Sequence, residues 1–278
     1  MPLCWNVKPP GGKNSPHLPP FPVLQNMEAG DILMAQQFNR ECDSMLKVVQ
    51  CWDDGVINDI RLTDLLRRWG AKATFNLNPG FHSDERGVNR WAGPGYSGWS
   101  CRGFLPGKVG RKEMKEIYSG FRVASHCFRH ETVGTLPDDK FVQAAIDART
   151  WLEDLFQCEC PGFAWPCGRY TPETCRALRE AGFAYGRTTQ NSSDVAGCEE
   201  TMALHPSCHF QANDFYGRYE EAKKTGVFYF WGHSYEMQEY DELWRQLEMK
   251  IQFISEDPDS VWADVIDIVP ECHRCGAR

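Results

Sequence analysis

The sequence predicts a parallel α/β fold, and three observations carry that prediction. Short apolar runs alternate with stretches whose apolar residues fall at helical spacing. The apolar run Leu46 to Cys51 leads into Asp53-Asp54-Gly55, Phe121 to Ser125 into His126, and Val227 to Trp231 into Gly232-His233. Hydrophobic residues make up 42% of the 278 positions, with ten tryptophans and sixteen phenylalanines, enough to fill one large core and to exclude global disorder.

The elements follow in order. Residues 1–44 form an N-terminal extension, whose Pro10 to Pro22 stretch is rich in Pro, Gly and Ser and lacks periodicity. The domain proper begins near Met45, and one catalytic domain over 45–270 is expected, followed by a tail over 271–278. Leu46 to Cys51 reads as a strand. Leu62, Leu65, Leu66 and Trp69 then mark a helix stopped by Gly70, and Ala73 to Leu77 the next strand. An irregular stretch from Pro79 to Gly110 is too long for an ordinary connection and suits a loop that builds a site. After the strand Phe121 to Ser125, a helix is expected with Phe141, Ala144, Ala145, Ala148, Leu152 and Leu155 on one face, then a short strand Phe163 to Trp165. Thr171-Pro172 is a helix start, a cap followed by proline at the first helical position, and Gly182 closes that helix. Phe183 to Arg187, Met202 to Leu204 and Val227 to Trp231 are further strands, with Asp214 to Lys224 helical between the last two. A final helix carries Leu243, Leu247, Ile251 and Ile254, before Val261-Trp262-Ala263 as a last strand or edge. Seven or eight strands with helical crossovers fit a barrel or a doubly wound sheet.

Charge and composition exclude several function classes. A formal charge of -8 argues against a nucleic-acid partner held by phosphate neutralisation. No run approaches 18 apolar residues, and the opening lacks a basic start followed by an apolar stretch, so neither a membrane span nor a secretory leader is expected. Thirteen cysteines, an odd number in a chain too long to need stapling, favour reduced thiols and a cytoplasmic setting.

Chemistry is concentrated at the strand ends. Adjacent carboxylates at Asp53 and Asp54 repel each other and resist desolvation unless a cation or hydrogen bonds compensate, although Asp-Asp-Gly also serves as a plain turn. His126 and His130 are spaced i,i+4, which puts both rings on one face if a helical turn begins there. Imidazoles, a carboxylate and open water positions suit Zn²⁺ or a similar ion better than Mg²⁺. His205 and His209 share the spacing, but Pro206 disfavours a regular helix, so they are read as pocket lining or a local hydrogen-bond network. His233 has the strand-end address of Asp54 and His126. A histidine there can protonate a poor leaving group, with Glu236 orienting it or binding a polar substrate.

Asp53-Asp54-Gly55, His126-x-x-x-His130, Ala164-Trp165-Pro166-Cys167-Gly168 and Trp231-Gly232-His233-Ser234 together resemble, in order, the motifs of the polysaccharide deacetylases, the metal-dependent carbohydrate deacetylases of carbohydrate esterase family four. The resemblance runs from about Met45 to Ile268 and points to a divergent branch. It implies a distorted (β/α) barrel of about seven strands with a divalent metal, Zn²⁺ or else Co²⁺ or Ni²⁺, at the carboxyl ends. It further implies Asp53 as general base, Asp54, His126 and His130 as metal ligands, and His233 as general acid. The implied reaction is removal of acetyl groups from N-acetylated sugars, oligosaccharides or a small acetamide by metal-activated water. Two rivals stay open: a non-acetyl amide or cyclic imide hydrolase on the same scaffold, and a non-catalytic carbohydrate-binding protein.

Two positions depart from the family pattern. Cys127 stands where Ser or Thr usually follows the first histidine, and Ala164 where an arginine usually orients the base. Arg187 or Arg169 replaces that arginine, or the base is less constrained; the strand-end address of Arg187 ranks it first. Trp165, Tyr170, Tyr235 and Glu236 are the candidate substrate contacts, while Trp91, Tyr96 and Trp99 are possible caps of the cleft. Trp52 is read as core. Cys272-His273-Arg274-Cys275 resembles half of a zinc site with no second half nearby.

Overall fold

The computed structural model of the chain describes residues 45–271. The backbone is an α/β fold built on a strongly curled, mostly parallel sheet, the distorted (β/α) barrel that the motifs imply. β1 (Leu46–Asp53) lies at its centre, with β2 (Thr74–Leu77) against its carboxyl half. β5 (Arg122–Ser125), β6 (Gly162–Ala164) and β7 (Tyr185–Arg187) continue outward from β2, while β9 (Val227–Gly232) and then β8 (Cys208–His209) flank the other edge of β1. A last strand, β10 (Ser260–Trp262), pairs with β1 at Leu46 to Val48, on the edge that β2 occupies farther along. Apart from β10, the strands of this sheet therefore follow chain order around the curl. The segment between β7 and β8 spans its seam: Leu204 bridges to Arg187, and Cys208-His209 pair with β9.

Helices cover the outside for the reasons their sequences give. α1 (Asn58–Arg68) buries Leu62, Leu65 and Leu66 against Trp52 and Phe75. A single turn, α2 (Met114–Ile117), precedes β5. α3 (Asp138–Phe156) turns Phe141, Ala145, Ala148 and Leu152 inward. α4 (Pro172–Glu180) starts at Thr171, whose side chain accepts the Thr174 N–H in a reciprocal cap. α5 (Phe215–Ala222) and α6 (Asp241–Glu256) complete the set, with Trp244, Leu247, Ile251 and Ile254 buried on α6. Among the described residues no helix is long and apolar enough to cross a membrane.

Three local expectations change. Met202 to Leu204 is not a strand, because the Glu200 side chain captures the Met202 N–H at 2.8 Å and winds Thr201–Ala203 into a 3-10 turn, leaving Leu204 alone to pair. β8, two residues long, lies in the stretch read only for its histidines. The long Pro79 to Gly110 stretch contains a small antiparallel pair, β3 (Arg90–Trp91) and β4 (Phe104–Leu105). The Cys272 to Cys275 motif lies outside the described residues.

Candidate active site

The carboxyl ends of β1, β5, β7 and β9 open into one cleft of about 720 Å³, lined by Asp53, Asp54, His126, His130, Arg187 and His233 among others. Strand alternation alone would send Asp53 and Asp54 to opposite faces. Asp54 instead adopts φ 83°, a conformation costly for a non-glycine residue, which turns the second carboxylate toward the cleft as well. Its N–H donates to Asn76 O at 2.9 Å, and its carbonyl accepts from Lys108 Nζ at 2.5 Å. Gly55 follows at φ 62°, where a Cβ would sit 2.7 Å from the His82 ring.

The helical turn that would place His126 and His130 on one face does not form. Cys127 (φ 59°) and His130 (φ 57°) both take left-handed conformations and fold the segment back on itself. The rings still meet, with centroids 4.8 Å apart and planes at 86°. Cys127 is fully buried against the core cluster of Phe141, Phe163 and Trp165, so its side chain braces the turn. The His126 Nδ1 lies 2.8 Å from the Ala164 carbonyl and donates to it, which leaves the Nε2 lone pair free to ligate. Burial lowers the His126 pKa to about 4, so the ring is neutral near neutral pH. The ligating atoms of Asp54, His126 and His130 all lie within 4.8 Å of one another. Two imidazoles and one carboxylate with room for water form a donor set that suits a divalent ion of zinc type.

Asp53, 2% exposed, is held from three sides. Asn76, its register partner on β2, donates to Oδ1 at 2.7 Å, and Arg187 Nη2 donates to Oδ2. His233 Nε2 lies 3.7 Å and His126 Nε2 4.0 Å from the same Oδ2. Burial alone would raise the Asp53 pKa, but the Arg187 guanidinium, with His126, His233 and Asn76, outweighs it and keeps the group ionised well below the usual carboxylate range. Arg187 is itself 1% exposed and stands at the register position of Ala164 on the neighbouring strand. A guanidinium therefore reaches Asp53 from β7, at the level of Ala164 on β6. It also lies over the Trp231 ring, 4.7 Å from the centroid. Arg169 is exposed and makes no such contact with Asp53.

His233 is backed by a hydrogen-bonded chain. Glu236 Oε2 accepts the His233 N–H at 3.0 Å and lies 3.4 Å from His233 Nδ1. On its other side it lies 2.9 Å from His209 Nε2. Because His209 Nδ1 accepts from the Gln211 N–H at 3.2 Å, the His209 proton sits on Nε2 and points at Glu236. Burial opposes charging of His233, yet Glu236, then Asp53 and Asp54, prevail and raise its pKa. Glu236 is held down at about 2: burial would raise it, but hydrogen bonds from His209 and His233 outweigh that.

The four expected substrate contacts separate. Tyr235 lines the cleft, its ring stacked on His233 at 4.7 Å with Trp99 edge-on at 5.3 Å. Trp165 borders the cleft but is anchored in the core, donating to Met202 O at 2.6 Å and stacking on Phe141. Tyr170 packs on Trp165 and Glu236 is drawn back to the histidines, so neither reaches the cleft wall. His205 is likewise taken up by Thr188 Oγ1 at 2.5 Å. Asn76, Phe81, Lys108, Arg129 and the link from His209 to Glu236 were not anticipated. Only Asn76 carries a sequence signal, an amide inside the otherwise apolar pair Phe75 and Leu77.

Comparison with known proteins fits this geometry. The family model for polysaccharide deacetylase matches residues 41–186. A Mycobacterium smegmatis protein assigned to the polysaccharide deacetylases superposes with a TM-score of 0.55 at 15% identity, covering 81% of this chain and 90% of that one. A Pseudomonas aeruginosa protein of the same assignment superposes with a TM-score of 0.55 at 13% identity and the same coverages. A Streptococcus pyogenes deacetylase solved with acetate aligns at 22% identity and a TM-score of 0.40 over 51% of this chain and 55% of that protein, so the match spans about half of its length. No curated protein sequence gives a significant match. With a family model spanning more than half of its length and an Asp/His/His cluster at the strand ends, the chain belongs to the polysaccharide deacetylase family.

Proposed function

We propose that this protein is a metal-dependent hydrolase that removes acetyl groups from N-acetylated sugars or oligosaccharides. One observation carries the reading: a three-donor cluster of Asp54, His126 and His130 lies beside an ionised Asp53 and beneath His233, all in one cleft. A divalent ion held there supplies Lewis-acid polarisation of an acyl carbonyl and makes water more acidic. Asp54 presents a carboxylate, with burial opposing ionisation but Lys108 and the nearby histidines prevailing, and His126 presents a lone pair fixed by the Ala164 carbonyl.

Asp53 is the proton acceptor in this proposal. Its depressed pKa makes it a weak base, so it works by position: Arg187 and Asn76 fix both oxygens while His126 and His233 crowd Oδ2. His233, with its pKa raised, retains a proton nearer neutrality and delivers it to the leaving amine from Nε2. Glu236 accepts the His233 backbone N–H and stands 3.4 Å from Nδ1, which leaves Nε2 on the side of Asp53 and the cleft. Tyr235 and Trp99 offer apolar faces to a sugar ring.

Acetate release from N-acetylated chito-oligosaccharides tests the proposal. Release that stops on chelation, returns with Zn²⁺ or Co²⁺, and is lost in Asp54→Ala together with bound metal supports it. Release that survives verified metal removal overturns it.

A further inference from the structure

The fixed charges of the cleft run against those of the chain. The protein carries 38 acidic and 30 basic residues, for a net charge of -8. Among the residues that line the cleft, only Asp53 and Asp54 are acidic, while Lys108, Arg129 and Arg187 are basic. Arg187 is taken up by Asp53. Lys108 supports the Asp54 carboxylate, and Arg129 has no part in the proposed chemistry.

Lys108 comes from the long segment between β2 and β5. Its Nζ bonds the Asp54 carbonyl at 2.5 Å, lies 3.9 Å from Asp54 Oδ1, and faces the Phe81 ring at 5.5 Å. Its charge therefore stands beside a carboxylate of the donor cluster, where a bound divalent ion would repel it. Arg129 sits at the rim, one residue before His130, with its stem laid over Gly80, where a Cβ would come within 2.6 Å of Arg129 Cγ. The nearby Glu131 carboxylate accepts the Arg129 backbone N–H at 2.7 Å, and among the described residues the guanidinium has no ion pair. A neutral acetamido sugar is met by hydrogen bonds and aromatic faces, and does nothing to relieve two like charges held around a cation site. An anionic group on the substrate does, because it offsets all three at once.

We propose that the cleft selects an acylated sugar or acetamide bearing an oxyanion, a carboxylate or phosphate, placed to meet Lys108 and Arg129. This rests on the hydrolase reading for the identity of the acyl substrate, but not for the sign of its charge. The test uses the full chain and three probes: N-acetylglucosamine, N-acetylglucosamine 6-phosphate and N-acetylmuramic acid. Binding is measured by calorimetry in low and high salt, and acetate release in parallel. One or both anionic sugars should bind about tenfold or more tightly than the neutral one at low salt, with the advantage shrinking as salt rises. Arg129→Gln should narrow the ratio of anionic to neutral affinity, and Arg129→Glu should narrow it further. Preference for phosphate or for carboxylate identifies the source of the oxyanion. Equal affinities, or failure of both anions to bind, overturn the proposal. If all three sugars lose acetate at equal kcat/KM, the charge selection is wrong and the hydrolase reading stands. If an anion binds more tightly and no sugar is deacetylated, selection is supported and the hydrolase reading fails.

Discussion

Arg187 meets the Asp53 carboxylate from a strand that the third motif does not include. The third motif lacks its arginine at Ala164, yet parallel pairing puts Arg187 at the same level one strand over, with Nη2 on the Asp53 carboxylate. A buried ion pair of this kind adds little net stability, but losing one partner leaves an uncompensated charge, at a cost of about 3–5 kcal/mol. Arg187→Met should therefore lower both unfolding free energy and kcat, and Arg187→Ala combined with Ala164→Arg should recover part of the lost rate if level rather than strand is what counts. Chemical denaturation and acetate release on the two variants check this. His209 does the hydrogen-bonding work expected of it, but with a partner that sequence concealed: nothing local announced that Glu236, 27 residues on, would accept its Nε2–H. His209→Ala should lower kcat by about tenfold through loss of Glu236 and His233 orientation, with bound metal unchanged by elemental analysis.

At the level of elements, the strand ends were legible and the paths between functional residues were not. β1, β5 and β9 were readable because a short apolar run closed by Asp or His marks a buried strand that delivers a polar group to a sheet end. His126 and His130 do converge, but by two left-handed residues rather than a helical turn, and such conformations leave no periodicity to read. Lys108 and Arg129 look like ordinary surface charge until the chain is folded, unlike Arg187, whose strand-end address marks it. The turn after β1 is one such joint. Gly55 sits at φ 62° with the His82 ring where a side chain would go, and His82 is pinned by Nδ1 to the Val109 carbonyl at 2.7 Å. Gly55→Ala should destabilise the fold by about 2 kcal/mol, from backbone strain and a displaced ring, and should weaken metal retention because Asp54 is the preceding residue. Thermal melts with and without added Zn²⁺ measure both effects; an unchanged melting temperature would show that the turn relaxes freely.

Across the whole molecule, buried titratable groups pull stability in opposite directions as pH changes. Asp59, on the first turn of α1, is fully buried and accepts from Ser234 Oγ at 2.5 Å and Tyr118 Oη at 2.8 Å, tying that helix to the loop that carries His233. Burial raises its pKa from 3.8 to about 7. Between those values the folded state keeps a proton that the unfolded chain has released, so this contribution is full below pH 3.8 and is lost as pH rises to about 7. Three units correspond to on the order of 4 kcal/mol. Burial acts on His82 and His126 in the other sense, lowering each from 6.5 to about 4. There the unfolded chain binds the extra proton, and stability is gained as pH rises from about 4 to 6.5, by on the order of 3 kcal/mol per ring. The two histidines outweigh the single carboxyl, so the wild-type chain should gain stability over this acid range with Asp59 flattening the climb. Asp59→Asn removes the opposing slope: its unfolding free energy, measured by denaturant titration at successive pH values, should climb more steeply than that of the wild type, with the difference growing by on the order of 4 kcal/mol between pH 4 and 7. Parallel curves would mean that Asp59 ionises in the folded state as easily as in water, and that its two hydroxyl donors, rather than a retained proton, satisfy it.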